Sequence, residues 1–429
     1  MNWNDEGGAY DHQIWELNNN YSQLKAEGDL AGAARAMERL VVIYSNMEGS
    51  EVLHSVSLEL LARDLLELGE LQEAKLAAKQ ALEVDRQFIG MDLPYYPLHL
   101  ILFADVLDKE GNQSKASNFR RDALNHMVAI LKGDVAESTN RSTGRYYDPQ
   151  QDREHMVRMC AAAVDLSMRT FGEGSPEHIE VMIHVAHFYE NEYNPELAKA
   201  FYLEAVAAAE RARRVYTPEF MYLLESTAEI YLMNDEEKEA EDIYKREIAV
   251  AKTLYGEESA EVSMSMGNLA SVYLTRGESK KAEEVLSASI ALDEKRDEEG
   301  GKDQMRRMRM LALAYSNRKE YAKALKYYTI VEEHLQPDGD DDPMLAAVLN
   351  QMGHMHRLLG RPDRAAREYE KQLAAVERYY GDQSIYYTGV LQNLAEAHAA
   401  MGDQEEAKAY LDQINKLCQR YGYSRNPWV

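Results

Sequence analysis

Residues 267–286 read GNLASVYLTRGESKKAEEVL, and this stretch decides the fold. The small residue Ala270 lies among apolar neighbours, Gly277 follows seven residues later, and Ala282 follows twelve residues after Ala270. Small residues let two helices approach closely, and glycine accepts the left-handed backbone of a tight turn. The stretch therefore predicts two helices that pack as a hairpin around the small residues.

The same pattern recurs along nearly the whole chain, at intervals of 41 or 42 residues and once at 82, which is two periods of 41. The small residue that marks each copy, here called the anchor, is Ala62, Ala104, Ala186, Ala228, Ala270, Ala312, Gly353 or Ala395. A weaker copy has Tyr21 at the anchor position. One hairpin cannot bury its apolar face alone, so the pattern predicts a stack of hairpins with a continuous core.

The repeat resembles the tetratricopeptide repeat, whose small, aromatic, glycine and alanine positions are matched in 267–286 and in QNLAEAHAAMGDQEEAKAYL, residues 392–411. The commonest repeat of that family has about 34 residues. The longer unit here is similar to the kinesin light chain type, in which a Tyr-Gly-acidic linker joins the units, as in 255–257 and 380–382. The resemblance implies an all-α, right-handed superhelical solenoid of about ten antiparallel helical hairpins. It is specific for fold and not for a ligand.

One repeat is interrupted. An anchor is due near residue 145, but residues 132–152 read KGDVAESTNRSTGRYYDPQQD. We interpret 132–154 as a degenerate repeat or loop, which can be a hinge, a lid over a ligand or a neutral insertion. Helicity is expected to resume over 155–171. The predicted domains are N-terminal repeats 1–131, the segment 132–154, and C-terminal repeats 155–429.

The charge balance limits the function. Lys and Arg number 48 against 74 Asp and Glu, a net charge of −26. Such a surface repels nucleic-acid phosphates and anionic lipids and favours basic partners. The N-terminus lacks the features of a secretory signal and no apolar run reaches about 18 residues, so we expect a cytoplasmic protein. Cys160 and Cys418 are too few and too far apart for a disulfide framework.

Catalytic and cofactor motifs were sought in the sequence. It contains no dinucleotide fingerprint, no Walker-type Gly-Lys-Ser/Thr and no His-Glu-x-x-His. No nucleophile and base pair stands out either. We therefore expect a protein that is not an enzyme and that needs no cofactor.

Histidines provide one candidate metal site. Glu180, His184, His187 and Glu190 lie close to one face of a predicted helix, because their offsets of four, three and three residues keep helical spacing. Nitrogen and oxygen ligands of this kind suit zinc or another divalent ion. The alternative is a polar helix face on which the histidines pack like aromatic residues. We favour that alternative and predict no metal, because the sequence provides no groups that would orient the histidine rings.

A binding groove is the more informative prediction. The first helix of each hairpin lines the concave surface of such arrays, and offsets −6, −3, +1 and +4 from the anchor should point into it. In the copies at Ala186 and Ala228 these positions include the acidic residues Glu180, Glu190, Glu225 and Glu229. In the copies at Ala312 and Gly353 they include Arg306, Arg309, Asn350, His354 and Arg357. Asn268 and Asn393 lie near the same surface.

Arginine binds carboxylates and phosphates in bidentate fashion, and side-chain amides bond an extended peptide backbone. The alternative for Arg306 and Arg309, in the run MRRMRM at 305–310, is that they only cover a Met-lined core and balance acidic residues of 293–299. The groove predicts a non-catalytic scaffold or adaptor that binds a protein or peptide. The alternative function is a metal- or signal-peptide-binding sensor that regulates a separate effector protein. No nucleic-acid or membrane partner is expected, and the oligomeric state is left open.

Overall fold

A computed structural model describes residues 7–89, 93–133, 149–296, 301–335, 343–382 and 384–421. Within these ranges every regular element is a helix, which confirms the all-α class. The chain divides into two compact units, Met1–Val215 and Tyr216–Val429. In the described ranges, no helix combines the length and apolar composition that a membrane span needs.

The first unit consists of helices joined mostly by short turns. They are α1 (Gly7–Glu27), α2 (Leu30–Ser45), α3 (Glu51–Leu68), α4 (Leu71–Val84), α5 (Tyr95–Lys109), α6 (Gln113–Lys132), α7 (Pro149–Phe171), α8 (Pro176–Asn191) and α9 (Pro195–Arg211). Four hairpins form, from α1 and α2, α3 and α4, α5 and α6, and α8 and α9. A π-helical turn, Asp85–Ile89, extends α4.

The second unit repeats the hairpin five times in the part of the chain that is described. Its helices are α10 (Pro218–Met233), α11 (Glu237–Tyr255), α12 (Ala260–Thr275), α13 (Ser279–Lys295), α14 (Lys302–Asn317), α15 (Tyr321–Leu335), α16 (Pro343–Leu358), α17 (Pro362–Tyr380), α18 (Ile385–Met401) and α19 (Gln404–Tyr421). Each hairpin packs on the next through its second helix, α11 on α12 and so on to α17 on α18. This is the stacking that the repeat predicted.

The interrupted repeat differs in part from its predicted form. Helix α7 begins at Pro149, so the end of the segment 132–154 is helical. Residues 134–148 lie outside the described residues. The boundary between the compact units falls after Val215, away from the predicted boundaries at 131 and 154. The predicted three-part division stays a prediction.

The anchors lie where the helices of a hairpin touch. From Ala62 to Ala312 the alanine anchors are completely buried, and Ala395 is 3% exposed. The anchor Gly353 is a glycine where the anchors from Ala62 to Ala312 and Ala395 are alanines, and the structure shows why an alanine does not fit. A Cβ atom there would lie 2.4 Å from Cε1 of Tyr369. Glycine at this anchor therefore makes room for the Tyr369 ring.

Buried polar clusters recur at equivalent positions of two repeats. Each contains a serine seven residues before an anchor, an aspartate 23 residues after it and a cationic residue five before the next anchor. The members are Ser55, Asp85 and His99 in the first unit and Ser263, Asp293 and Arg307 in the second. The first trio has the residue types of a hydrolase triad, but all three side chains are completely buried. These clusters therefore tie successive hairpins together.

The hairpin turns lie seven residues after the anchors and adopt the left-handed conformation. The predicted turn glycines have φ between +68° and +87°: Gly69, Gly111, Gly277, Gly360 and Gly402. In three copies the same position holds Tyr193, Asp235 and Lys319, with φ of 53°, 57° and 62°. The left-handed region costs a residue with a Cβ about 1–2 kcal/mol. These three turns are therefore strained.

Replacing Lys319 by glycine should raise the free energy of unfolding by about 0.5–1 kcal/mol. The removed strain exceeds the extra chain entropy that glycine loses on folding. Urea denaturation measures the change. The reverse change, Gly277→Lys, is at the same position of the preceding hairpin, where nothing lies within 4 Å of the Cβ position. It should lower the free energy of unfolding by a similar amount. No change in either variant would show that turn strain does not affect stability.

Candidate functional site

The predicted groove residues all lie on first helices of hairpins. Glu180 and Glu190 lie on α8 in the first unit. In the second unit, Glu225 and Glu229 lie on α10, Asn268 on α12, Arg306 and Arg309 on α14, Asn350, His354 and Arg357 on α16, and Asn393 on α18. Each side chain is exposed or half-buried, in contrast to the anchors. They are therefore placed where a ligand could meet them.

A buried tyrosine lies sixteen residues after the anchor, on the second helix, in four of the repeats. These are Tyr202, Tyr244, Tyr328 and Tyr369, each 3% exposed or less. The Tyr202 hydroxyl donates to Oε1 of Glu190 over 3.2 Å. Burial raises the pKa of Tyr328 to about 12, and the charge of Arg309 lowers it in part. These tyrosines are not among the residues predicted from the groove positions, although their recurrence at a fixed offset from the anchor is visible in the sequence.

Two of the three arginines of α14, Arg306 and Arg309, are not neutralised by any described residue. Among the described residues, Arg306 and Arg309 have no hydrogen-bond or ion-pair partner. Nε of Arg309 is buried as well as unpaired. Asp293, which the sequence analysis considered as a counter-charge, instead pairs with Arg296 and Arg307. Arg306 and Arg309 are thus available to an anionic ligand.

The groups on α16 and α18 are mostly engaged with each other. Arg357 pairs with Glu396, and its Nη2 lies 3.2 Å from Nδ1 of His354. Burial lowers the pKa of His354, and the Arg357 charge lowers it further, so this ring is neutral at pH 7. The amide of Asn393 donates to Oδ1 of Asn350 over 3.0 Å. These residues extend the polar face but add little free positive charge.

The acidic residues of the first unit are partly compensated. Oε1 of Glu180 lies 2.7 Å from Nζ of Lys132 and 3.8 Å from Nε2 of His184. His184 and His187 meet edge to face with ring centroids 6.2 Å apart, and His187 also contacts Tyr202. Within the described residues, no group of three or more His, Cys, Asp or Glu side chains is arranged to hold a metal ion. These two histidines thus pack as aromatic rings, and the absence of a bound metal stays a prediction.

The acidic residues of the second unit surround a carboxyl group that the sequence analysis missed. Glu247 of α11 is 1% exposed, and its Oε1 accepts a 2.6 Å hydrogen bond from Ser265. Its Oε2 is buried and has no hydrogen-bond partner in the described part of the chain. Burial raises the pKa of Glu247 to about 7; the Ser265 bond lowers it, and Glu225 and Glu229 raise it again. No sequence signal marks Glu247, because its burial depends on the neighbouring helices α10 and α12.

The acidic and basic residues of this unit come together at Tyr244. Burial raises its pKa well above the usual range, with further increases from Glu229, Glu247 and Glu225, while the charge of Arg306 opposes them. A charge perturbs a pKa only over a short distance. The second unit therefore presents carboxylates and a guanidinium around one tyrosine.

Comparison with known proteins identifies the repeat. The tetratricopeptide repeat family model matches residues 221–295 and 344–419. No curated protein sequence matches the chain. A solved structure of kinesin light chain TPR-like repeats from Podosopora anserina shares 19% identity, covering 48% of this chain and 97% of that one, with a TM-score of 0.44. BtubC (BKLC) from P. vanneervenii shares 21% identity over 55% of this chain and 95% of that one, with a TM-score of 0.48.

The widest of these likenesses is to a signal transduction ATPase with a tetratricopeptide repeat sensor, from Pyrococcus horikoshii. It covers 86% of this chain and 53% of that one, at 11% identity and a TM-score of 0.54. At this identity the likeness concerns the fold alone. The family match and the stacked hairpins of 42-residue spacing show tetratricopeptide repeats at residues 221–295 and 344–419, within an all-α fold of the tetratricopeptide-repeat type.

Proposed function

We propose that this protein is a non-catalytic scaffold that binds an extended or helical peptide segment of a protein partner on the first-helix face of its repeats. Tetratricopeptide repeats are in general protein-interaction scaffolds, and their fold is typically non-catalytic. An acidic or carboxylate-bearing part of the partner would meet Arg306 and Arg309, with Asn350, His354, Arg357, Asn393 and Asn268 contributing polar contacts. Basic residues of the partner would meet Glu225 and Glu229, or Glu180 and Glu190 in the first unit.

One observation supports this proposal most strongly: Arg306 and Arg309 have no ion-pair partner among the residues that the structure describes. Most cations of a chain with a net charge of −26 find carboxylates, and many of this chain do. A guanidinium beside a partly buried face loses hydration and gains most from a bidentate carboxylate. The negative charge elsewhere argues against nucleic acid and anionic membranes as partners. A cytoplasmic location belongs to the same proposal.

Reversing both charges, Arg306→Glu/Arg309→Glu, should raise the Kd for the acidic partner by at least about 100-fold, because charge-assisted hydrogen bonds contribute about 1.5–3 kcal/mol each. Affinity capture from native lysate, read by mass spectrometry, identifies the partner, and titration of the purified pair gives the Kd. The matched control is Arg364→Glu/Arg367→Glu, an equal charge change at exposed positions of α17.

A partner that is captured by the wild type and the control but lost from the Arg306/Arg309 variant supports the proposal. The same partners captured by all three proteins would contradict it. The metal-sensor alternative gains no such support, because His184 packs on His187 and His187 packs on Tyr202.

A further inference from the structure

Glu247 lies beneath the acidic part of the candidate face and is not explained by packing alone. A carboxyl group that is 1% exposed usually has all its oxygens bonded. Here Ser265 bonds Oε1, while Oε2 is buried and has no partner among the described residues. The half-exposed Glu225 and the exposed Glu229 lie on α10, and their charges act on this carboxyl group. Once Glu247 is ionised, the unfilled position at Oε2 is suited to a hydrogen-bond donor.

The donor should carry positive charge. Three carboxyl groups act on one another here, since Glu225 and Glu229 oppose ionisation of Glu247. Asn268 donates to Glu225 over 3.1 Å, which holds that carboxylate in place. Within the described residues no set of three such ligands is arranged for a metal ion. A guanidinium supplies five N–H donors in a rigid fork, enough to bond surface carboxylates and a deeper oxygen together.

We propose that Glu225, Glu229 and Glu247 form a proton-coupled subsite for an arginine side chain of the bound partner. The inference rests on the proposed function and adds its regulation. Without ligand, Glu247 holds its proton against the two neighbouring carboxylates. When the guanidinium enters, Glu247 releases that proton to solvent and the carboxylate bonds the cation.

Glu247 is the group of this subsite whose pKa is raised to about 7, and the groups that act on it are as follows. From α10 they are the carboxylates of Glu225 and Glu229, and from α12 the hydroxyl of Ser265. Tyr244, on the same helix, stays protonated because its pKa is raised well above its usual range. Arg306 of α14 acts on Tyr244 and keeps its charge throughout.

The test uses a capped, fluorescein-labelled decapeptide of Gly and Ser with two Arg residues, titrated with the full chain by anisotropy at pH 6 and pH 8. With Glu247 half-protonated near pH 7, the binding-competent fraction is about tenfold smaller at pH 6, so the Kd should be about tenfold higher there. Glu247→Gln cannot release a proton and should bind weakly at both pH values. The matched control Glu239→Gln, an exposed position of the same helix, should keep the wild-type pH dependence.

Four outcomes would overturn the proposal or part of it. Wild-type binding that is independent of pH, yet lost in Glu225→Gln/Glu229→Gln, would remove the proton coupling and leave the proposed function standing. Binding that survives Glu225→Gln/Glu229→Gln would remove the subsite itself. Equal affinity for a peptide with Lys in place of Arg would remove the preference for a guanidinium. Failure of the wild type to bind the peptide at either pH would overturn the subsite, while capture through Arg306 and Arg309 would still test the proposed function separately.

Discussion

Replacing Asp293 by alanine should lower the free energy of local opening of α12–α14 by about 3–5 kcal/mol, because it leaves a buried guanidinium without its counter-charge. Arg307 is 6% exposed and pairs with Asp293, and its Nε already has no partner. The Ser263 hydroxyl donates to Oδ1 of Asp293 over 2.7 Å, and Nη2 of Arg296 lies 2.6 Å from the same oxygen. One carboxylate thus satisfies three groups from α12, α14 and the end of α13.

Hydrogen exchange of the α12 and α14 amides measures this loss, because these amides should exchange faster by roughly two to four orders of magnitude. Asp303→Ala, at an exposed position of α14, is the matched control and should exchange like the wild type. Removing both charges, Asp293→Ala/Arg307→Met, should recover much of the stability, because a buried pair can be replaced by apolar groups at little cost. If the double variant is as unstable as Asp293→Ala, the unpaired guanidinium is not the cause.

Glu247→Gln should stabilise the protein by about 3 kcal/mol at pH 8 and have little effect at pH 5. Burial raises the pKa of Glu247 from 4.5 to about 7, with a further contribution from Glu225 and Glu229. Between these values the folded chain keeps the proton and the unfolded chain releases it. The wild type therefore loses stability as the pH rises from about 4.5 to 7, and the loss is complete above 7.

Glutamine keeps the shape of the side chain and stays neutral, so it avoids this loss. Differential scanning calorimetry at the two pH values measures the effect, expected as a rise in Tm of about 6–12 °C at pH 8 for a unit of this size. Glu239→Gln serves as the control for removal of one acidic charge from α11 and should leave Tm nearly unchanged at both pH values. A gain of equal size at pH 5 and pH 8 would mean that ionisation of Glu247 does not limit stability.

The local pattern predicted most of the fold. Helix existence, hairpin turns and buried anchors follow from positions within one repeat, where spacing and residue size decide the outcome. The left-handed turns at Gly69 and Gly277 and the buried Ala62 and Ala270 are examples. The Gly353 anchor could be recognised as small, but the reason for glycine required the position of the Tyr369 ring.

The candidate site was predicted in part. Helical periodicity predicted that Arg306 and Glu225 lie on first helices and face a concave groove; both lie on first helices, Arg306 exposed and Glu225 half-buried, and the groove stays a prediction. Helical periodicity could not show that Arg357 pairs with Glu396, or that Arg306 has no partner among the described residues. Glu247 was missed altogether, because a glutamate on a second helix reads as a solvated position in any sequence pattern.

The sequence by itself determined the repeat, its 42-residue spacing, the hairpins and the first-helix face, because these depend on residues within a few helical turns of one another. Only the tertiary structure decided which charges are buried, paired or free. Ser265 meets Glu247 and Arg307 meets Asp293 across helices of different hairpins. Charge interactions depend on distance and burial in three dimensions, and the repeat pattern carries neither.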